Sequence, residues 1–279
     1  MRFSLVVGTI KRTVELDRLL GSLAKQSCQD FELIVVDQNR DHRVLDRLKA
    51  YEKRFPIVHL RSAIGVSRAR NAGLGVARGD IIAFPDDDCW YPQDLLEKVA
   101  DFFSKHPEFD GLTGRSVDLR GEDTVGRYIK DEGLVSLRDV WRKAVAFSMF
   151  LTRESTQKAG GFDEALGPGA GTIYQGAEDI QYLIRVLKAG CQVFYSPQIR
   201  IYHQDPLVGY GPLVVQRGYS YGCGHGRVLG REGYPMGFVA GALIRPLGGT
   251  ILSLLTGRFR KGLYHFAIFR GRLRGWLGG

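Results

Sequence analysis

Four short apolar runs, set apart by amphipathic stretches, constrain this chain more than any other feature. FSLVVG (3–8), FELIVVD (31–37), IVHL (57–60) and DIIAF (80–84) have the length and continuous apolarity of buried strands. Between them, Leu16, Leu19, Leu20 and Leu23 mark one face of a first helix, and Val44, Leu45 and Leu48 one face of a second. VSRARNAGLGVARG (66–79) reads as a third helix ended by Gly79. Strands alternating with helices imply an α/β fold with a mainly parallel sheet flanked by helices. In such sheets, ligands bind at the carboxyl ends of the strands.

Polar groups gather where that rule places a ligand. Thr9 ends the first strand, Asp37 ends the second, and Asp86, Asp87 and Asp88 follow the fourth in IIAFPDDDCWYP (81–92). YPQDLLEKVADFF then restarts a helix, with Pro92 near its first turn. Further strands are expected at FDGLTGRS (109–116) and VAFSMFLT (145–152), and two short closing strands at CQVFYSP and IRIYHQD. A Gly-rich loop (160–179) leads into the helix AEDIQYLIRVLKAG, which ends at Gly190.

Each polar residue has a structural reading beside a chemical one. Three adjacent aspartates can be a solvated capping turn, but these directly follow a buried strand. Clustered hard oxygen ligands suit Mg²⁺ or Mn²⁺, usually completed by substrate phosphates, which points to a diphosphate substrate. Asp37 either caps the turn DQNRD or accepts an N–H from a nucleobase. Arg70, beside Asn71, is either a solvated helix residue or a guanidinium against a nucleotide. His203 is either structural or a third metal ligand, if its strand returns beside the acids. Glu178 and Asp179 stabilise a helix N-terminus, or are delivered to a substrate by a Gly-rich lid.

Charge separates the chain into two parts. Residues 206–279 carry ten Lys and Arg against one acid, Glu232, and so hold the entire net charge of +9. They also hold 18 of the 36 glycines, which sets the expected boundary between residues 1–205 and 206–279. FVAGALIRPLGGTILSLL (238–255) is apolar but interrupted by Arg245 and Pro246, marginal for a straight transmembrane helix. Phe259, Leu263, Phe266, Phe269, Leu273 and Trp276 follow at helical spacing, among Arg258, Arg260, Lys261, Arg270, Arg272 and Arg274. That pattern fits an interfacial helix on an anionic membrane surface better than a nucleic-acid patch, so no nucleic-acid partner is expected. A helical hairpin packed on the main domain is the structural alternative. Cys28, Cys89, Cys191 and Cys223 are scattered, as in a reduced compartment. The apolar run before Lys11 and Arg12 is too short for a secretory leader.

LVVGTIKR, FELIVVDQNRD, IGVSRARNAGLGVARGDIIAFPDDDCWYP, AGGFDEALGPG, GAEDIQYLIRVLKAG and IYH, in that order, resemble glycosyltransferase family 2 over roughly residues 3–205. The resemblance implies a GT-A, Rossmann-like fold and an inverting, metal-dependent transfer from a nucleoside-diphosphate sugar. It implies Thr9 and Asp37 in the nucleotide pocket, Arg70 near base or diphosphate, and Asp86–Asp88 as the DxD-type element for ribose and metal. It further implies Asp179 as general base and His203 completing the Mn²⁺ or Mg²⁺ site. The tail suggests a glycan or lipid-linked acceptor, polysaccharide biosynthesis, and a peripheral place on the cytoplasmic face of a membrane. Departures from the family pattern are Gly8 for the usual proline, Ile10 for an aromatic, Arg40 for a serine, and Pro85 where many members carry the first acid. Two rival functions are a sugar-phosphate nucleotidyltransferase and a non-catalytic nucleotide-binding scaffold. GTIKRTVE lacks the Gly-rich, basic loop that the first would need.

Overall fold

The computed structural model describes residues 1–204 and 209–278, so the expected boundary at 205/206 lies outside the described residues. The chain forms two compact units. The first gathers Met1–Ile64, Arg68–Phe162 and the chain from Tyr182 through the last strand. The second gathers Gly65–Ser67, Asp163–Gln181 and the C-terminal helices.

The first unit opens with β1 (Phe3–Thr9), α1 (Val14–Leu23), β2 (Phe31–Asp37), α2 (Leu45–Lys49), β3 (Ile57–Arg61), α3 (Val66–Leu74) and β4 (Ile81–Ala83). It continues with β5 (Cys89–Trp90), α4 (Leu95–Lys105), β6 (Gly111–Val117), β7 (Gly133–Leu134), β8 (Met149–Thr152), α5 (Arg153–Ala159), α6 (Glu178–Lys188) and β9 (Val193–His203). α3 and α6 each carry their first residues in the second unit. The strands form one sheet in the order β3-β2-β1-β4-β8-β6-β9-β5, with β7 on β9. The run β3-β2-β1-β4 is parallel, as the alternating pattern requires. Strand order reverses beside β1, so the ligand crevice opens at the carboxyl ends of β1 and β4.

The expected helical face of α1 is fully buried at Leu16, Leu19, Leu20 and Leu23. α3 stops at Leu74, five residues before the expected Gly79. The reason is a buried turn onto β1. Ser4 Oγ donates to Glu32 Oε1 at 2.6 Å and accepts the Gly79 N–H at 2.7 Å. A Cβ at Gly79 would overlap the backbone of Ser4. The two expected closing strands are one strand, β9. Its pairing with β6 slips between Thr113 and Arg115, where Ile199 packs over Gly114 and Pro197 interrupts the ladder. The first residues of VAFSMFLT form a 3₁₀ turn, Ala146–Ser148, rather than strand.

The second unit contains α7 (Pro212–Arg231), α8 (Met236–Leu255) and α9 (Phe259–Leu277). α7 and α9 touch backbone to backbone. A Cβ at Gly222, Gly226, Gly271 or Gly275 would run into the facing helix's main chain. Glycines on both sides are what permit such an approach. α8 stays helical through Pro246. It is long and apolar enough to cross a membrane by length and composition. Its Ile251, Leu252, Leu254 and Leu255 are exposed, as are Phe259, Leu263 and Phe266 of α9. The other half of the α9 stripe, Phe269, Leu273 and Trp276, is half-buried. Arg272 also turns inward, donating to Ala242 O at 2.6 Å.

The Gly-rich loop is built into this unit. Gly167 N donates to Tyr174 O, Gln175 N to Ser220 O, and Val66 N to Pro168 O. Gly167, Gly169 and Gly171 hold positive φ and shape tight turns, so these glycines fix the loop's path. The sequence suggested a Gly-rich lid; in this structure the loop is held by these backbone bonds.

Candidate active site

Three strand ends build the site in the first unit. Thr9, at the end of β1, donates its hydroxyl to Asp87 Oδ2 at 2.7 Å. Asp87 is nearly fully buried. Burial raises its carboxyl to about 6, against the lowering pull of Arg12 and the Thr9 hydrogen bond.

Asp88 meets His203 because β5 pairs antiparallel with β9, setting Cys89 opposite His203. The imidazole Nε2 lies 3.2 Å from Asp88 Oδ1, its Nδ1 faces Gln204 O, and Phe147 stacks on the ring at 5.1 Å. Burial opposes charge on both partners, but their pairing wins. The His203 hydrogen bond and charge, helped by Arg12, lower Asp88, while Asp88 raises His203.

Arg12 was not singled out from the sequence. Its Nη1 lies 2.6 Å from Asp87 Oδ1 and 2.6 Å from Asp88 Oδ2, bridging the two acids. Burial works against the guanidinium's charge, and the two carboxylates more than compensate. Arg18 approaches from α1, donating to Asp88 O at 2.9 Å and lying over the Trp90 ring at 4.0 Å.

Arg70 is buried, bonds Asp86 Oδ1 at 3.1 Å, and lies 5.3 Å from the Phe162 ring centre. Asn71 fixes the same segment, accepting from Phe162 N at 2.6 Å and donating to Phe162 O at 3.0 Å. Asp37 is fully buried, and both its oxygens are engaged. Oδ1 accepts from Asn39 N and Nδ2 at 2.9 and 2.8 Å. Oδ2 faces His59 Nε2 at 3.2 Å and Arg61 Nε at 3.6 Å. His59 and Arg61 come from β3, whose IVHL run signalled only a strand, so neither was a sequence candidate.

The structure thus gathers Thr9, Asp86, Asp87, Asp88, Arg70 and His203 at or beside one sheet edge, with Asp37 at the end of the neighbouring strand. Among the described residues, no group of three or more acidic, His or Cys side chains is disposed as a ready metal cage. Asp88 and His203 are in contact, and Asp87 joins them through Arg12. Asp179 belongs to the second unit, where it opens α6 and accepts the N–H of Ile180 at 2.8 Å. Its neighbour Glu178 is buried, and its side chain packs against Gly167.

Comparison with known proteins agrees with this architecture. A glycosyltransferase of PGL/p-HBAD biosynthesis from Mycobacterium bovis is 33% identical over 126 residues, covering 42% of this chain and 49% of its own. An uncharacterized glycosyltransferase of Haemophilus influenzae is 33% identical over 110 residues, covering 38% and 36%. The chain spans about half the length or less of these curated relatives. Among solved structures, the mannosyltransferase PcManGT from Pyrobaculum calidifontis, in complex with GDP-Man and Mn²⁺, superposes with a TM-score of 0.66 at 17% identity. That match covers 98% of this chain and 87% of the other. S. aureus TarS 1-349 in complex with UDP-GlcNAc gives 0.62 at 16% identity, covering 98% and 92%. Both show the GT-A fold. Residues 4–149, which include Thr9, Asp37, Arg70 and the three aspartates, match Glycosyl transferase family 2, and the chain belongs to that family.

Proposed function

We propose that this chain transfers a sugar, with inversion, from a nucleoside-diphosphate sugar to a glycan or lipid-linked acceptor. The observation that carries the reading is the meeting of Thr9, Asp87, Asp88 and His203 at the crevice where strand order reverses. Two carboxylates and an imidazole there fit a divalent cation. Arg12 between the acids already shows their demand for positive charge. Asp88 and His203, with Asp87 beside them, would hold Mn²⁺ or Mg²⁺. When bound, the ion would neutralise the departing nucleoside diphosphate.

The chain's own groups do the rest. Asp37, at the end of β2, takes the nucleobase by exchanging one of its present partners, Asn39 or His59, for an N–H of the base. Arg70 and Asp86 position ribose and diphosphate. Asp179 takes the acceptor hydroxyl's proton as the oxygen bonds to the anomeric carbon. The sugar–phosphate bond breaks, and its electron pair leaves with the nucleoside diphosphate. The donor complexes of PcManGT and TarS support the donor class.

For the second unit, the exposed apolar ends of α8 and α9 beside Arg258, Arg260 and Lys261 support peripheral binding to an anionic membrane surface; the four free cysteines support the cytoplasmic side.

The test is a thermal-shift screen of nucleoside-diphosphate sugars with and without Mn²⁺, followed by an assay for released nucleoside diphosphate. A true donor raises the melting temperature only with metal, because binding stabilises by RT ln(1 + [L]/Kd). Pyrophosphate release from a nucleoside triphosphate would favour the nucleotidyltransferase. Binding without turnover would favour the scaffold.

A further inference from the structure

We infer that Arg12 is a tethered cation of the site: it bridges Asp87 and Asp88 until a divalent ion displaces it, and the released guanidinium then pairs with the donor's diphosphate. The inference rests on the metal reading above and adds a residue to it.

The geometry makes Arg12 and the ion mutually exclusive. One nitrogen, Nη1, reaches Asp87 Oδ1 and Asp88 Oδ2 at 2.6 Å each, occupying the point between the carboxylates. A cation bound to both acids would stand against that guanidinium, in like-charge repulsion.

Arg12 is also free to leave. Its side chain is 45% exposed, against 4% for the Arg70 side chain, which is locked on Asp86 and Phe162. The backbone of its loop stays fixed, since Lys11 holds φ at 63° and its N–H donates to Asn39 Oδ1 at 2.7 Å. Only the side chain need swing. Arg18 does not compete, because it bonds the Asp88 carbonyl and stacks on Trp90.

The released guanidinium remains at the edge where a diphosphate would lie, and such a fork suits phosphate oxygens. Metal and nucleotide therefore assist each other through Arg12, and that coupling is reciprocal.

The test measures Mn²⁺ binding to the full chain without nucleotide, by electron paramagnetic resonance of free Mn²⁺. Arg12→Gln should bind Mn²⁺ roughly tenfold more tightly than the wild type, within the usual range of coupling energies. At saturating Mn²⁺ it should bind UDP or GDP, whichever the wild type prefers, roughly tenfold more weakly. Arg12→Lys, which keeps charge but not the fork, should fall between. Arg18→Gln removes the same charge nearby without uncovering the carboxylates, and should raise Mn²⁺ affinity far less than Arg12→Gln. Asp88→Asn tests the metal site itself. If Asp88→Asn loses Mn²⁺ but Arg12→Gln gains none, or Arg18→Gln gains as much, the role of Arg12 is overturned and the metal site stands. If Asp88→Asn binds Mn²⁺ like the wild type, the metal reading fails and this inference with it.

Discussion

Cys89 and His203 face each other across the short β5–β9 ladder, and that pairing brings the imidazole within 3.2 Å of Asp88. His203 and Asp88 are separated by 115 positions in sequence, so the sheet alone makes them neighbours.

The pair predicts a pH window. His203 is raised, so its contribution to stability is full below an unfolded value of about 6.5 and is lost as pH rises through the higher folded value. Asp88 is lowered, so its contribution is full above an unfolded value of about 3.9 and is lost as pH falls through the lower folded value. In metal-free protein, His203→Asn should therefore cost most between about pH 4 and 6.5, roughly 1–3 kcal/mol, and less near pH 8.5. Chemical denaturation of both proteins across pH, with chelator present, checks this. A difference independent of pH would mean that no charged pair forms.

Asp179→Asn should lower transfer by at least ~10²-fold while nucleotide-sugar affinity barely changes, because the amide keeps the shape but cannot take the proton. Glu178→Gln, which alters the buried neighbour, should be milder in turnover. Steady-state kinetics and donor titrations on both variants decide. Retained turnover in Asp179→Asn with loss in Glu178→Gln would move the base to Glu178. Loss of donor binding in both would remove the pair from the chemistry.

Cutting the tail at Gly237 would strip α9 from α7, so side-chain replacements are the cleaner membrane test. Leu255, Phe259 and Leu263 are all exposed. Replacing the three with Ser should weaken binding to anionic vesicles at least tenfold, since each buried apolar side chain contributes on the order of 1.5–3 kcal/mol. Vesicle co-sedimentation should also show binding falling as salt rises, because charges are screened over ~8 Å at physiological ionic strength. Undiminished binding by the triple variant would sink the membrane role of this surface.

Gly226→Ala should destabilise the protein by roughly 1–3 kcal/mol or more, since its Cβ would overlap the Arg272 carbonyl across the α7–α9 contact. Gly241→Ala on α8 meets nothing within 4 Å. It should stabilise by up to about 1 kcal/mol through helix propensity. Thermal melts of the two variants separate close packing from propensity; equal effects would contradict the helix contact.

The sequence by itself determined the local elements. Period and run length marked β1, β2, β4 and α1, because a buried strand or helix must carry its own apolar face; they also marked β3, expected buried, which is half-buried because it lies at the sheet's edge. Chain order then placed Thr9, Asp37 and the aspartates at carboxyl ends, a consequence of the βα alternation alone. The charge shift after residue 205 likewise marked a change of character, though not the recruitment of Asp163–Gln181 into the second unit. Tertiary structure decided whatever depends on distant partners. α3 ends at Leu74 because residues beyond it turn onto Ser4 of β1, and β9 is one strand because β6 spans its irregular middle. The tail's glycines read as composition until α7 met α9 and their missing side chains became the contact surface. Arg12 looked like the polar end of an apolar run. Only the folded chain sets its guanidinium between Asp87 and Asp88, 75 and 76 positions away, since charge acts through space and not along the sequence.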